Sequence, residues 1–164
     1  MSTKKSDAAE LPLDAPNRRR LPLLLRRAWY GLNQAFRRRI VHLGFTPDQF
    51  TVMRTLLEKE GISQRQLTAL MSSDPNTVAS LLERMEKARL IERATHEKDR
   101  RANRLRVRRR GRVKYESARE IAITLQEQVL SVLAIRERKV FFANLDKIAE
   151  ACQAAAADSP KLRK

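Results

Sequence analysis

The chain has 164 residues, the length of one ordinary domain, and 42% of them are hydrophobic, which is enough to form a buried core. Its 35 Lys and Arg residues against 19 Asp and Glu give a formal net charge of +16. Such a charge favours a polyanionic partner, with nucleic acid first and an anionic membrane surface second. No apolar run is long enough to span a membrane, and the N-terminal residues do not have the pattern of a secretory signal. We therefore expect a cytoplasmic protein with no membrane partner.

The residues that carry most enzyme and metal chemistry are scarce in this sequence. The chain has one cysteine, Cys152, and two histidines, His42 and His96, and they lack the spacing of metal ligands or of a disulfide framework. Gly-rich phosphate loops, nucleophile elbows and paired carboxylates among apolar residues are also missing. We therefore expect no enzymatic activity, no metal and no cofactor. Cys152 falls on the apolar side of the last predicted helix, where a thiol acts as a small, inert hydrophobic group.

The positive charge is concentrated in one short segment. Residues 97–114 carry ten basic and two acidic side chains, so they hold half of the net charge. Of the 35 basic residues in the chain, 25 are arginine, whose planar guanidinium group suits bidentate contacts to phosphate and guanine. Acidic residues are nearly absent from this segment, which favours a polyanion-binding surface over a solvated charged loop.

Two amphipathic helices are predicted in the first part of the chain. Apolar residues recur at helical spacing over residues 21–43, and Gly44 is a typical stop signal. Thr46 followed by Pro47 is typical of an N-cap with proline at the first helical position. The second helix is therefore predicted from Pro47 to the neighbourhood of Gly61.

The sequence next predicts a helix-turn-helix pair. Ser63 and Gln66 have the spacing of a capping box, which opens a short helix. Asp74 is placed to cap a second helix, with Pro75 at its first position. The apolar residues of this second helix are expected to face inward: Val78, Leu81, Leu82 and Met85.

After this pair the pattern predicts a β-hairpin and two further helices. Residues 91–95 and 104–108 alternate between polar and apolar side chains, so we expect two short strands joined by a loop over residues 96–103. Gly111 closes this unit, and a long helix follows from there to Leu133. A last helix carries apolar residues at helical spacing: Phe141, Phe142, Leu145, Ile148, Ala149 and Cys152.

This order of elements predicts a mainly α fold with a small β-hairpin wing, which is a winged helix-turn-helix. The second helix of such a pair enters the DNA major groove. Its outward positions are Asn76, Thr77, Ser80 and Arg84. The tip of the hairpin offers Arg100, Arg101 and Asn103 to the adjacent minor groove, whose negative potential favours inserted arginine.

Residues 46–111 resemble the MarR family of bacterial transcriptional regulators. The family's wing signature is D-x-R-x-x-x-L-x-L-T-x-x-G. It is matched by Asp99, Arg101, Leu105 and Gly111, with Val107-Arg108 in place of Leu-Thr. The resemblance implies a homodimer that reads a pseudo-palindromic operator, typically as a repressor released by a small aromatic or anionic ligand.

The resemblance also implies how the chain is divided. Residues 1–17 are expected to be a flexible tail, and residues 158–164 a basic tail. Residues 18–157 form one domain, in which residues 18–45 and 112–157 supply the dimerisation helices and residues 46–111 the DNA-binding lobe. Long apolar faces at both ends of a chain this short support a second copy independently, because they have no other partner.

Residue roles follow from the same resemblance. Arg101 resembles the wing arginine that enters the minor groove, and Asp99 resembles the acid that orients it. Ser63 and Gln64 are expected to contact phosphates, as are Arg104 and Arg106. The aromatic residues expected to line a ligand cleft, unless they are simply core, are Trp29, Tyr30, Phe36 and Phe50.

Two departures from the family pattern affect the expected geometry. The family has glycine after the recognition helix where this chain has Arg89. A left-handed residue there costs a non-glycine about 1–2 kcal/mol, so we expect a different turn. Arg108 replaces a capping threonine, so we expect the next helix to start at another residue.

An alternative from a different class stays open at this point. A non-specific basic architectural or RNA-binding protein would use the charge without reading sequence. It would need neither the polar recognition face nor the dimerisation helices. The salt dependence of binding to specific and to random duplexes distinguishes the two classes.

Overall fold

The computed structural model describes residues 20–59, 61–71, 73–96 and 99–158, except for the side chains of residues 95, 96 and 99–103. The predicted N-terminal tail lies outside these residues, and so does the predicted C-terminal tail apart from Asp158. None of the described helices is long and apolar enough to cross a membrane.

The order of elements confirms the predicted fold class, mainly helical with a hairpin wing. The helices are α1 (Arg20–Ile40), α2 (Pro47–Glu58), α3 (Gln64–Leu70), α4 (Pro75–Lys87), α5 (Arg109–Leu130) and α6 (Ile135–Asp158). A short 3-10 helix, Val41–Leu43, follows α1. The antiparallel strands β1 (Ile91–His96) and β2 (Asp99–Val107) form the hairpin between α4 and α5.

The chain divides into two compact units, residues 1–122 and residues 123–164. The core of the first unit is built from apolar side chains of α1, α2, α4 and the hairpin. In it Phe50 meets Phe36 edge-to-face at 4.9 Å and stacks on Tyr115 at 5.1 Å between ring centroids. The predicted inward face of α4 is buried as expected: Val78, Leu81, Leu82 and Met85.

The predicted starts of α2 and α3 are confirmed. Each start is fixed by a reciprocal pair of hydrogen bonds between two residues three positions apart. The Thr46 hydroxyl accepts from Gln49 N at 3.2 Å, and Gln49 Oε1 accepts from Thr46 N at 3.0 Å. Ser63 and Gln66 form the same reciprocal pair at the start of α3. Each such cap contributes about 1 kcal/mol to helix stability.

The turn after α4 differs from the expectation. Arg89 has φ +56°, so this residue does adopt the left-handed conformation. Its N–H donates to Glu86 O at 2.8 Å, and Leu90 N donates to Met85 O at 2.9 Å. This is a Schellman motif, in which the residues Leu90 and Met85 are both buried. The burial of Leu90 fixes the turn, and Arg89 takes the strained backbone that glycine would take more easily.

The hairpin is longer than the sequence predicts. The expected loop over residues 96–103 is wrong, because β2 already begins at Asp99. Asn103 lies opposite Thr95 and Asp99 lies opposite His96, so β2 carries an irregular stretch of extra residues between these pairs. A β-bulge of this kind keeps the strands paired while it twists the end of the hairpin.

The expectation for the start of α5 is also wrong. The carbonyl of Arg108 accepts the first helical hydrogen bond from Arg112 N at 3.0 Å, so α5 begins directly after Arg108. The N–H of Arg108 is held by Leu90 O at 2.9 Å, which fixes this position without a capping side chain. Gly111 therefore lies inside α5 and does not precede it, and α5 ends at Leu130.

The second unit exposes a large apolar surface. No residue of α6 is buried in the single chain, and four of its predicted apolar residues are 36–45% exposed: Phe141, Phe142, Leu145 and Ile148. The expectation of an inward-facing Cys152 is not met in the single chain, where the thiol is exposed together with the apolar side chains of the same helix.

Candidate nucleic-acid interface

The outer face of α4 presents the four polar residues that the sequence singled out. Asn76, Thr77, Ser80 and Arg84 are all exposed, on the side opposite the buried apolar residues of the helix. No carboxylate of the described residues forms an ion pair with Arg84, so the guanidinium is available to a ligand.

The start of α4 is fixed by Asp74. Its Oδ1 accepts from Asn76 N at 2.9 Å and from Thr77 N at 3.0 Å. The Thr77 hydroxyl lies 3.4 Å from the same oxygen, so this side chain is partly engaged within the protein. The Ser80 hydroxyl makes no such contact with any described residue. The cap therefore sets the first turn of the helix, whose side chains would meet base edges in a major groove.

The start of α3 lies beside the wing. The predicted phosphate contact Ser63 is occupied by its capping box, with Gln66 N donating to its hydroxyl at 3.3 Å. The neighbouring Gln64 is half-buried, and its side-chain oxygen accepts from Arg93 Nη1 at 3.1 Å. The backbone also links the two elements, because Leu105 N donates to Ile62 O at 3.1 Å.

The basic segment is divided between internal contacts and open surface. Arg104 donates to the carbonyl of Gly61 at 2.7 Å, and Arg108 pairs with Glu92 at 2.9 Å. Arg106 is exposed and pairs with no carboxylate of the described residues. Arg106 is therefore a simpler candidate for a phosphate contact than Arg104, whose guanidinium already holds the turn before α3.

The predicted wing residues all lie on β2. Asp99 stands opposite His96 at the end of the hairpin, and Asn103 stands opposite Thr95. Arg100 and Arg101 lie in the irregular stretch between these two pairs. Their side chains are outside the described part, so the orienting contact from Asp99 to Arg101 stays a prediction.

The four aromatic residues of the predicted ligand cleft are not gathered in one place. Phe36 and Phe50 contact each other in the core, each only 8% exposed, whereas Trp29 and Tyr30 lie 65% and 58% exposed on α1. Their role in ligand binding stays a prediction. A cavity of about 420 Å³ lies elsewhere, between the end of α2, the wing and the first turn of α5.

Three further residues at this surface, Arg93, Glu86 and Gly61, are not indicated by the sequence pattern. Arg93 Nε donates to Glu86 Oε2 at 3.2 Å while its Nη1 binds Gln64. Gly61 supplies the carbonyl that holds Arg104. No local pattern signals these contacts, since Arg93 and Gln64 are 29 positions apart, and Arg104 and Gly61 are 43 apart.

A helix-turn-helix followed by a basic hairpin defines the winged helix-turn-helix class. The model of one family of this class, the MarR family, matches residues 45–102. The HTH-type transcriptional regulator BilQ of Clostridium symbiosum (strain WAL-14163) is 33% identical over 97 residues, which cover 59% of this chain and 67% of BilQ. The chain belongs to the MarR family, a family of transcriptional regulators.

Solved structures agree on the fold. The transcriptional repressor CouR bound to a 23-mer DNA duplex superposes with a TM-score of 0.74 at 22% identity, covering 86% of this chain and 99% of CouR. The PcaV regulator from Streptomyces coelicolor, in complex with its natural ligand, gives a TM-score of 0.68 at 23% identity and covers 88% of this chain and 99% of PcaV.

Proposed function

We propose that this protein is a sequence-specific double-stranded DNA-binding regulator that acts as a homodimer on a pseudo-palindromic operator. The observation that carries the proposal is the outer face of α4, where Asn76, Ser80 and Arg84 are exposed above a fully packed inner face. Polar side chains of this kind pair with base edges in the major groove.

The charge of the wing supports the same proposal. Residues 97–114 hold about half of the net charge of +16, and they include β2 and the first turn of α5. Arg106, Arg109 and Arg110 are all exposed. Contacts from such groups to phosphates fix the register of a protein on the duplex, while base contacts provide the specificity.

The homodimer rests on apolar surface that the single chain leaves uncovered. The side chains of α6 described above and Trp29 of α1 are too large and too exposed for a stable isolated subunit. Burying one such side chain fully contributes about 1.5–3 kcal/mol. Light scattering at micromolar protein should give a dimer. A stable, folded 19 kDa monomer would contradict this part of the proposal.

We further propose that the protein is a repressor released by a small aromatic or anionic ligand. CouR is a repressor, and PcaV was solved with its natural ligand, which supports this reading for a chain of the same fold. A panel of aromatic acids should contain a compound that raises the thermal stability of the protein and releases it from DNA. Trp29→Ala and Phe50→Leu should weaken that response if the aromatic residues bind the ligand.

Selection from random-sequence duplexes tests the central proposal. The full chain should enrich a sequence with two related half-sites, whose centres lie about 10 base pairs or a multiple of this apart. A single enriched half-site would contradict the dimeric reading. Binding without any enrichment would favour the alternative, a basic architectural or RNA-binding protein.

A further inference from the structure

One guanidinium group joins three elements of the DNA-binding lobe. Arg93 projects from β1, with 28% of its side chain exposed. Its Nε donates to Glu86 Oε2 near the end of α4 at 3.2 Å, and its Nη1 donates to Gln64 Oε1 at the start of α3 at 3.1 Å. The ion pair with Glu86 turns the positive charge toward the protein, so Arg93 is poorly placed to contact a phosphate itself.

The contact with Arg93 fixes which way the Gln64 amide points. A glutamine amide has one acceptor oxygen and two N–H donors. The guanidinium has donors alone, so the oxygen of Gln64 must face Arg93, and the opposite orientation would set donors against donors. Among the described residues, no acceptor takes a hydrogen bond from Gln64 Nε2. The free part of this side chain is therefore a pair of donors.

Gln64 borders an open groove between α3 and the start of α4. The groove has a volume of about 470 Å³, and its lining contains no carboxylate. Besides Gln64, its polar residues are Arg65, Thr68 and Ser73. The Thr68 hydroxyl is already used, since it donates to Gln64 O at 2.9 Å, which leaves the Gln64 amide and the Arg65 guanidinium among the donors on this lining. Such groups suit a phosphate, which accepts hydrogen bonds from amides and guanidinium groups.

We propose that Arg93 is a positioning residue for DNA binding, which holds the oxygen of Gln64 so that the amide N–H groups donate to the DNA backbone. The inference rests on the proposed DNA-binding function. It differs from the direct phosphate contacts proposed for the wing, because Arg93 acts through Gln64 and does not touch the DNA.

A double-mutant cycle on the selected duplex tests this inference. Arg93→Gln and Gln64→Ala should each weaken binding about two- to tenfold, the range for one hydrogen bond. The double variant should bind no more weakly than either single variant, since both changes remove the same contact. The slope of log affinity against log salt should stay unchanged in all three. Arg54→Gln, which also removes an arginine paired with a carboxylate, serves as the control and should bind normally.

Three results would overturn the inference while leaving DNA binding intact. The first is a double variant in which the losses of affinity of the two single variants multiply. The second is a Gln64→Ala variant that binds DNA as well as the unaltered protein. The third is a slope of log affinity against log salt that is lowered by about 0.9 in Arg93→Gln, which would show a direct contact of Arg93 with a phosphate. Failure of the unaltered protein to prefer the selected duplex would refute the proposed function itself, which keeps the two failures distinct.

The variant Gln64→Glu separates positioning from folding. A carboxylate keeps the contact with Arg93 and suits the first turn of α3, so the free energy of unfolding should not fall. The same change replaces the donors by acceptors that repel phosphate, so DNA binding should weaken more than in Gln64→Ala. Unchanged binding, or a loss of stability in proportion to the loss of binding, would overturn the inference.

Discussion

Gly111 in α5 lies directly against the backbone carbonyl of Leu90, with no space between them for a side chain. A β-carbon at position 111 would collide with Leu90 O and would lie 2.5 Å from Met53 Cε. The same carbonyl accepts a hydrogen bond from Arg108 N at 2.9 Å. The turn after α4 and the start of α5 are therefore packed on one backbone group.

Replacing Gly111 with alanine should destabilise the protein by about 1–3 kcal/mol, because the collision is with backbone that cannot rotate away. Urea unfolding of the variant measures this directly. Arg110→Ala is the matched control on the exposed side of the same helix and should change stability by less than about 0.5 kcal/mol. Similar values for the two variants would show that the close packing at Leu90 is unimportant.

A substitution at the left-handed Arg89 should stabilise the protein, in contrast to the one at Gly111. Arg89→Gly should stabilise the protein by about 1 kcal/mol, because glycine adopts φ +56° without the clash that an L side chain suffers. Arg89→Ala also removes the charge but keeps the strain, so it should give no gain. Thermal unfolding of both variants measures the difference. Equal stabilities for the glycine and alanine variants would contradict the strained turn.

Tyr115 should make the stability of the protein sensitive to alkaline pH. Burial raises the pKa of Tyr115 above its usual value of 10.0, and the nearby Arg54 opposes this in part. The folded state therefore holds the phenol proton more tightly than the unfolded chain, so its contribution is complete below pH 10 and is lost as the pH rises above it.

Tyr115→Phe should remove this loss and keep the stack on Phe50. We expect the free energy of unfolding of the unaltered protein to equal that of the variant in its pH dependence below about pH 10 and to fall relative to it as the pH rises above that value. Tyr30 is present in both proteins, so the difference between them isolates Tyr115. A difference that stays constant with pH would contradict the raised pKa.

Local chemistry made part of the fold predictable from sequence. The caps at Thr46, Ser63 and Asp74 act within three residues, so the sequence pattern itself contains both partners. The left-handed Arg89 was not predictable in this way. Its neighbour Leu90 is buried by tertiary packing, and this burial outweighs the local preference for glycine.

The candidate site also has one part that local sequence predicts and one part that depends on tertiary packing. Helical spacing alone predicts the exposed row on α4, because one face of an amphipathic helix determines the other. The link from Arg93 to Gln64 joins residues 29 positions apart, and it depends on how the hairpin lies against α3. The irregular stretch of β2 escaped prediction for a similar reason, since its partner strand decides where pairing resumes.

The wing gives a prediction about specificity. Arg101→Ala should weaken binding to the selected duplex by about 1–3 kcal/mol if its guanidinium enters a narrow minor groove. Asp99→Ala should give a smaller loss, although simple electrostatics predicts tighter binding after removal of a negative charge. Circular dichroism must first show that both variants are folded. Tighter binding by Asp99→Ala would mean that Asp99 is only an unfavourable charge near phosphate.

Phosphate and base contacts should respond differently to mutation. Arg106→Ala should weaken binding almost equally on selected and random duplexes, and should lower the salt slope by about 0.9. Ser80→Ala should instead reduce the preference for the selected duplex, since Ser80 is exposed on α4 and its side chain bonds to no other described residue. Equal losses on both duplexes for both variants would favour a protein that does not read sequence.

The decisive measurement for sequence-specific binding is the ratio of affinities for the selected and random duplexes at one physiological salt concentration. A regulator that reads bases through α4 should prefer the selected duplex by a factor of about 10³ or more. A ratio close to one, with strong salt dependence on both duplexes, would contradict sequence-specific binding and would show that the protein is a non-specific basic protein.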